Sequence, residues 1–359
     1  MTDMTDMTET QGISREELQL AARNHGMPLE ALRYDLTPAG LHYLLIHYDI
    51  PDVDPGSWRL SVEGHVRSPI ELSLDDLRSR PTTTQAVTLE CAGNGRTMIE
   101  PHVVSQPWVL EAVGTAEWTG TPLRDVLDQA GIDDGAVEVA FTGLDRGVEG
   151  ELEQSYERSL PLDDAMRPDV LLAFEMNGQP LLPQHGFPLR LVVPGWYGMA
   201  SVKWLSRITV LTEPFAGYQN AHSYRIRSDP DEEGESLNRI RPRSLMVPPG
   251  IPEFQSRSRI VDAGSHTVLG RAWSGLGPIE RVEFSDDDGR TWWDADLGEP
   301  PAGEYAWRGW SFGWHASPGE RVLCCRATDA TGATQPDAPA WNVGGYTNNA
   351  IQRVPTVVR

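Results

Sequence analysis

Val87-Thr88-Leu89-Glu90-Cys91-Ala92-Gly93-Asn94-Gly95-Arg96 is the stretch on which the reading of this chain turns. An apolar, β-branched run delivers a lone cysteine at its end, and two glycines with an asparagine let the backbone turn sharply behind it. Arg96 follows five residues on, near enough to favour the thiolate that binds metals or attacks substrates. A solitary cysteine in a turn is more often structural than functional, so its role depends on what else the chain offers.

Further along, Glu175-Met176-Asn177-Gly178-Gln179-Pro180-Leu181 leads into His185-Gly186-Phe187-Pro188-Leu189-Arg190. Val193-Pro194-Gly195-Trp196-Tyr197-Gly198 then precedes Val202-Lys203-Trp204-Leu205. Glycine and proline around His185, Arg190 and Lys203 suggest loops where backbone N–H groups and cations meet an anion. A phosphate suits them, because arginine gives bidentate contacts and lysine a point charge. Taken singly, each reads more simply as a solvated charge or a satisfied core histidine.

Around these stretches, residues 14–33 read as an amphipathic helix opened by a Ser14 cap. The body that follows mixes short strands (Trp58–Gly64, Leu189–Pro194) with helices at Ser73–Arg80, whose Ser-Leu-Asp-Asp start looks like a cap, and at Pro122–Gly131. That irregular mixture predicts an α+β body without the alternation of a doubly wound sheet. Residues 228–256 are charged and proline-rich, the usual material of a linker. Beyond them, strands at Thr267–Trp273, Glu280–Ser285 and Arg321–Thr328 alternate with turns, the signature of an all-β, immunoglobulin-like sandwich of about 100 residues. The expected division is an extension over 1–33, an α+β body over 34–240 and a sandwich over 253–359.

The 359 residues suit two cores, and 39% hydrophobic content with twelve tryptophans argues for a folded protein. A net charge of −22 repels nucleic acid and anionic membranes and favours solubility or a basic partner. Met1–Gln11 lacks the features of a signal peptide or twin-arginine leader, and no segment is apolar enough to span a bilayer, so a cytoplasmic location is expected. The adjacent Cys324 and Cys325 would point to opposite faces of a strand and read as core filling. There is no internal repeat, Walker loop, dinucleotide fingerprint, Cys-x-x-Cys pair or haem attachment motif.

Glu90–Arg96, Asn177–Leu181, His185-Gly186-Phe187-Pro188 and Val202–Leu205 together resemble the signatures of the sulfite oxidase family, in the family's order and near its spacing. The likeness runs from about His42 to the C-terminus, where Gly270–Gly275 and Ala340–Val343 are similar to the family's dimerisation domain, which implies a homodimer. The resemblance implies one molybdopterin holding molybdenum through its dithiolene, with Cys91 as the protein's thiolate ligand; soft sulfur ligands suit such a metal. It puts His47, Asp145, His185, Arg190 and Ser201-Val202-Lys203 at the pterin and its phosphate. It puts Arg96, Trp108, Tyr224 and Arg353 on the substrate side, with Arg353 reaching back from the second domain to bind a small oxyanion.

One departure stands out. Where the family has aromatic-x-Arg-Asn-His, this chain has Tyr43-Leu44-Leu45-Ile46-His47, so Leu45 replaces a cation of the anion pocket. Arg23, Arg33 or Arg225 could fold in to restore it, whereas Arg23-Asn24-His25 itself reads as a chance match. With no haem domain, flavin or nicotinamide motif, electrons would leave for an external acceptor, a cytochrome-like protein or dioxygen. The reading is sulfite or related sulfur-oxyanion oxidation. The alternatives are a nitrate or sulfoxide/N-oxide reductase on the same centre, and a non-catalytic cofactor-binding protein.

Overall fold

Capping chemistry sets where the few helices begin. In the computed structural model, which describes residues 12–359, the Ser14 hydroxyl accepts from Glu17 N at 3.1 Å and the Glu17 carboxylate accepts from Ser14 N at 2.8 Å. The helix so opened, Arg15–Arg23, stops well short of residue 33. Asn24 turns inward instead, donating to Gln106 Oε1 (2.8 Å) and accepting from Ile46 N (2.6 Å), and a separate 3-10 turn, Leu29–Arg33, follows Pro28. Ser73 and Asp76 cap the helix Leu74–Arg78 in the same reciprocal way. The helix Leu123–Ala130 starts at Pro122 and ends at Gly131, whose φ of 71° suits a residue without Cβ.

Two five-stranded sheets make the first body. One runs Ile70–Leu72, Leu60–Gly64, Leu205–Leu211, Glu138–Glu149, Leu152–Pro161, with a single parallel pair between Leu60–Gly64 and Leu205–Leu211. The other runs Thr83–Glu90, Val113–Pro122, Leu171–Met176, Gln179–Pro180, and Arg190–Val192 also pairs with Leu171–Met176. Leu60, Val62, Phe141 and Ile208 are wholly buried in the core to which the first sheet contributes. This is the α+β body expected from the sequence.

A two-sheet β sandwich follows. Its four-stranded sheet is Arg243–Met246, Gly264–Trp273, Arg308–Ala316, Asp296–Leu297; its six-stranded sheet centres on Gln352–Val358, Gly319–Asp329 and Ile279–Ser285. In Gln352–Val358 burial alternates residue by residue, the period of a half-buried strand. Val268, Phe284, Trp310 and Leu323 fill the core, with Cys325 among them and Cys324 buried nearby, both free thiols. Part of the expected linker is therefore not a linker. Arg243–Met246 is buried throughout and pairs with Gly264–Trp273, because its alternate side chains face the sandwich and the Cys91 loop. No helix among the described residues is long and apolar enough to cross a membrane.

Candidate active site

Strand Thr83–Glu90 becomes fully buried toward its end and hands the chain to Cys91. The loop ties itself down: Cys91 N donates to Ala112 O (2.9 Å), Asn94 N to Cys91 O (3.0 Å), and Ala112 N to Asn94 Oδ1 (3.1 Å). Its glycines are structurally required. A Cβ on Gly93 would sit 2.5 Å from Arg96 Nη2, and Gly95, at φ 87°, would bring one to 2.8 Å from Asn348 Nδ2. Behind the loop, Glu90 accepts from Asn94 Nδ2 (3.0 Å), Arg243 Nη1 (2.6 Å) and Trp273 Nε1 (2.8 Å), a wholly buried junction with the sandwich. Thr347 N adds a bond to Ala92 O at 2.8 Å and Asn348 Nδ2 one to Gly95 O at 2.7 Å.

Two clefts meet at Cys91, sharing it with Leu45, His47 and Tyr224. The first, of about 690 Å³, collects buried cations, with Asp145 as the one carboxylate among the described residues that line it. Arg190 donates to His185 O (3.1 Å) and Ser201 O (3.2 Å); Lys203 Nζ donates to Leu45 O (2.7 Å) and Gln184 O (3.1 Å). Among the described residues neither forms an ion pair with a carboxylate. Burial pulls Arg190 down to about 10, and burial with the Arg190 charge pulls Lys203 down to about 7. Burial likewise lowers His185 to about 3 and His42 to about 4, and raises Asp145 to about 6 against the pull of Lys203 and His47. His42 Nε2 has no hydrogen-bond partner. Buried positive charge left unpaired is costly, so this wall is built to receive an anion.

The second cleft, of about 870 Å³, holds Arg96 and Trp108 against an apolar wall. Arg96 donates from Nε to Gly344 O (3.0 Å) and from Nη1 to Gln106 O (3.1 Å), and its guanidinium lies 5.2 Å over the Tyr346 ring. The Trp108 indole N–H is buried next to the Cys91 thiol, whose pKa it helps to hold down, and has no oxygen acceptor. Tyr224, at φ 46°, holds a backbone conformation uncommon for a bulky residue, anchored by Leu237 N donating to its carbonyl (2.9 Å) and by its ring 5.4 Å from Tyr346. At the mouth, Glu149 is bonded by His47 (3.0 Å), Tyr48 Oη (3.1 Å) and Gln219 Nε2 (2.8 Å); burial raises its pKa, but these bonds outweigh that and hold it low. Burial pushes the Cys91 thiol up while Arg96 pulls against it.

Residues 47–219 match the model of an oxidoreductase molybdopterin binding domain, and residues 244–358 that of a Mo-co oxidoreductase dimerisation domain. Sulfite oxidase of Gallus gallus is 39% identical over 336 residues, which span 89% of this chain and 72% of that one. The chain belongs to the sulfite oxidase family. Mitochondrial sulfite oxidase of Mus musculus is also 39% identical, over 89% of this chain but 61% of its own length, so the chain spans less than two thirds of that relative. The crystal structure of the sulfane dehydrogenase SoxCD from Paracoccus pantotrophus superposes with a TM-score of 0.81 at 25% identity, covering 100% of this chain and 95% of that one.

Membership in the sulfite oxidase family implies a molybdenum–molybdopterin cofactor, and the residues present fit one. Cys91 offers a soft sulfur where the clefts join, and Arg190, Lys203 and the unpartnered His42 suit a phosphate-bearing ligand beside it. Among the described residues no group of three or more His, Cys, Asp or Glu could hold a metal alone. His47, Asp145, His185, Arg190, Ser201, Lys203 and Tyr224 line the first cleft; Arg96, Trp108, His47 and Tyr224 line the second.

Two expected site residues lie elsewhere. Val202 turns its side chain into the core, since the short turn at Gly198–Ala200 sends Ser201 and Lys203 to the cleft and the residue between them away from it. Arg353 does not reach the site: it sits on the interior strand Gln352–Val358 of the sandwich, bonded to Asp288 Oδ1 (2.9 Å) and Asp337 Oδ1 (2.6 Å). The loop that does reach back is Gly344–Asn348, which brings no cation. Nor is the missing arginine restored. Arg23 donates to Tyr48 O (2.9 Å) and faces Asp49, Arg225 pairs with Glu233, and Arg33 lies at a separate pocket against the sandwich.

The run Arg23-Asn24-His25 folds against the stretch that carries Leu45. His25 and Leu44 exchange backbone bonds of 3.2 and 2.8 Å, and Asn24 lines the second cleft. Sequence reasoning also missed His42, Arg158, Glu149 and Tyr346. Arg158, buried with no ion pair among the described residues and 5.6 Å over the Tyr224 ring, sits in an ordinary strand pattern that carries no sign of the site.

Proposed function

We propose that this chain oxidises a small sulfur oxyanion by two electrons, with water supplying the oxygen, and passes the electrons to an external acceptor. The observation that carries the reading is the meeting of two clefts at one cysteine: one lined with unpaired buried cations, the other with Arg96 and the Trp108 N–H. When bound, a molybdenum cofactor supplies reversible two-electron chemistry and oxygen-atom exchange. The chain's own work is to hold and orient. Cys91 Sγ would hold the metal, and Arg190 and Lys203 the pterin phosphate, each trading an unpaired buried charge for an ion pair. Arg96 and Trp108 would hold the substrate's oxygens and stabilise charge that shifts during transfer. Tyr224, whose hydroxyl burial keeps protonated, would donate a hydrogen bond at the same centre. With Leu45 in place of a cation, sulfite should bind weakly: a lost charge-assisted contact of about 1.5–3 kcal/mol is roughly ten- to a hundredfold in affinity. Molybdenum analysis of purified protein with a sulfite-dependent dye-reduction assay tests the reading. Metal in the protein and dye reduction at high sulfite are expected; metal-loaded protein that reduces dye with no sulfur oxyanion, or that oxidises reduced viologen with nitrate instead, overturns it.

A further inference from the structure

We infer that the pocket's substrate is an organic sulfinate, a monoanion R–SO2⁻ with an apolar substituent, rather than a small dianion; this rests on the oxidation proposed above. Charge is the first ground. Among the described residues Arg96 is the cleft's one arginine or lysine and has no carboxylate partner, whereas His47 is bonded to Glu149, whose own charge faces the mouth and repels a second negative charge. Donor count is the second. Arg96 spends Nε and Nη1 on carbonyls, which leaves Nη2, and the Trp108 indole N–H lines the same cleft next to Cys91, enough for one pair of oxygens.

Polarity is the third ground. Leu20, Leu45, Ile46 and Val148 line the same cleft, and Leu20 and Val148 are left 40% and 70% exposed. A substituent R lying along that wall gains about fourfold in affinity per buried methylene. The reaction is R–SO2⁻ + H2O → R–SO3⁻ + 2H⁺ + 2e⁻. One S–O bond forms, both O–H bonds of water break, sulfur is oxidised by two electrons, and two equivalents of a one-electron oxidant of the ferricyanide type accept them.

Calorimetry on the holoenzyme with two unreactive anions, benzenesulfonate and sulfate, reads the pocket without turnover. Steady-state rates with benzenesulfinate and sulfite read the reaction. Benzenesulfonate is expected to bind at least about tenfold more tightly than sulfate, and benzenesulfinate to exceed sulfite in kcat/KM by a similar factor. Leu45→Arg should narrow both ratios. Sulfate binding as tightly as benzenesulfonate overturns the inference. So does turnover of sulfite with none of sulfinate, although the proposed oxidation then stands; dye reduction by neither anion in molybdenum-loaded protein overturns both.

Discussion

Replacing Cys91 by serine exchanges a soft thiolate for a hard, weakly acidic hydroxyl of nearly the same size. Cys91→Ser should therefore unfold like the wild type while dye reduction falls at least about a hundredfold, and wild-type turnover would remove the sulfur from the mechanism. Lys203 offers a second handle, because it is the only lysine in the chain. Its amine is lowered from 10.5 to about 7, so in the cofactor-free protein the charged form is penalised by burial. That cost is fully present below about 7 and disappears as pH rises toward 10.5, so Lys203 makes the cofactor-free fold more stable across that window. Amine acetylation followed by mass spectrometry should modify Lys203 increasingly as pH passes through about 7, and cofactor loading should suppress it. Labelling that begins only near the ordinary lysine value, or that ignores the cofactor, would count against the phosphate role. The lysine itself was visible in the sequence beside Trp204; its lack of an anionic partner was not, since that depends on every neighbour that folds around it.

At the scale of elements, the Cys91 loop hangs from the sandwich through Glu90. Removing one member of a buried ion pair leaves the other charge stranded, at a cost of about 3–5 kcal/mol. Arg243→Ala should lower stability by that amount in denaturant unfolding, with Arg243→Met less damaging because it refills the volume. A loss below about 1 kcal/mol would mean the junction contributes little. Local rules foresaw the start of the first helix, because Ser14 and Glu17 lie three residues apart and cap one another. They misjudged its end. Asn24 is pulled out of the helix by Ile46 and Gln106, partners 22 and 82 positions away. The strand Arg243–Met246 hid in a proline-rich stretch for the same reason: its partner is Gly264–Trp273, and its burial comes from both bodies at once.

For the whole molecule, the match of residues 244–358 to a dimerisation domain leads us to expect a two-fold homodimer joined mainly through the sandwich. Light scattering at micromolar concentration should report twice the chain mass; a monomer would refute it. The net charge of −22 makes association salt-dependent, easier as added salt screens like charges.

The sequence by itself determined the order of an α+β body and a β sandwich, through strand and turn periodicities that are local. It also singled out the cysteine, the glycines beside it and most of the residues that line the first cleft, because their spacing is a family signature written in contiguous motifs. Only the tertiary structure decided which charges are paired. It sent Arg353 to Asp288 and Asp337, left Arg190 and Lys203 without a carboxylate, and set Asn24 beside Leu45's own stretch. An ion pair depends on distance in space, and residues as far apart in sequence as Glu90 and Arg243 meet only when the chain has closed around them.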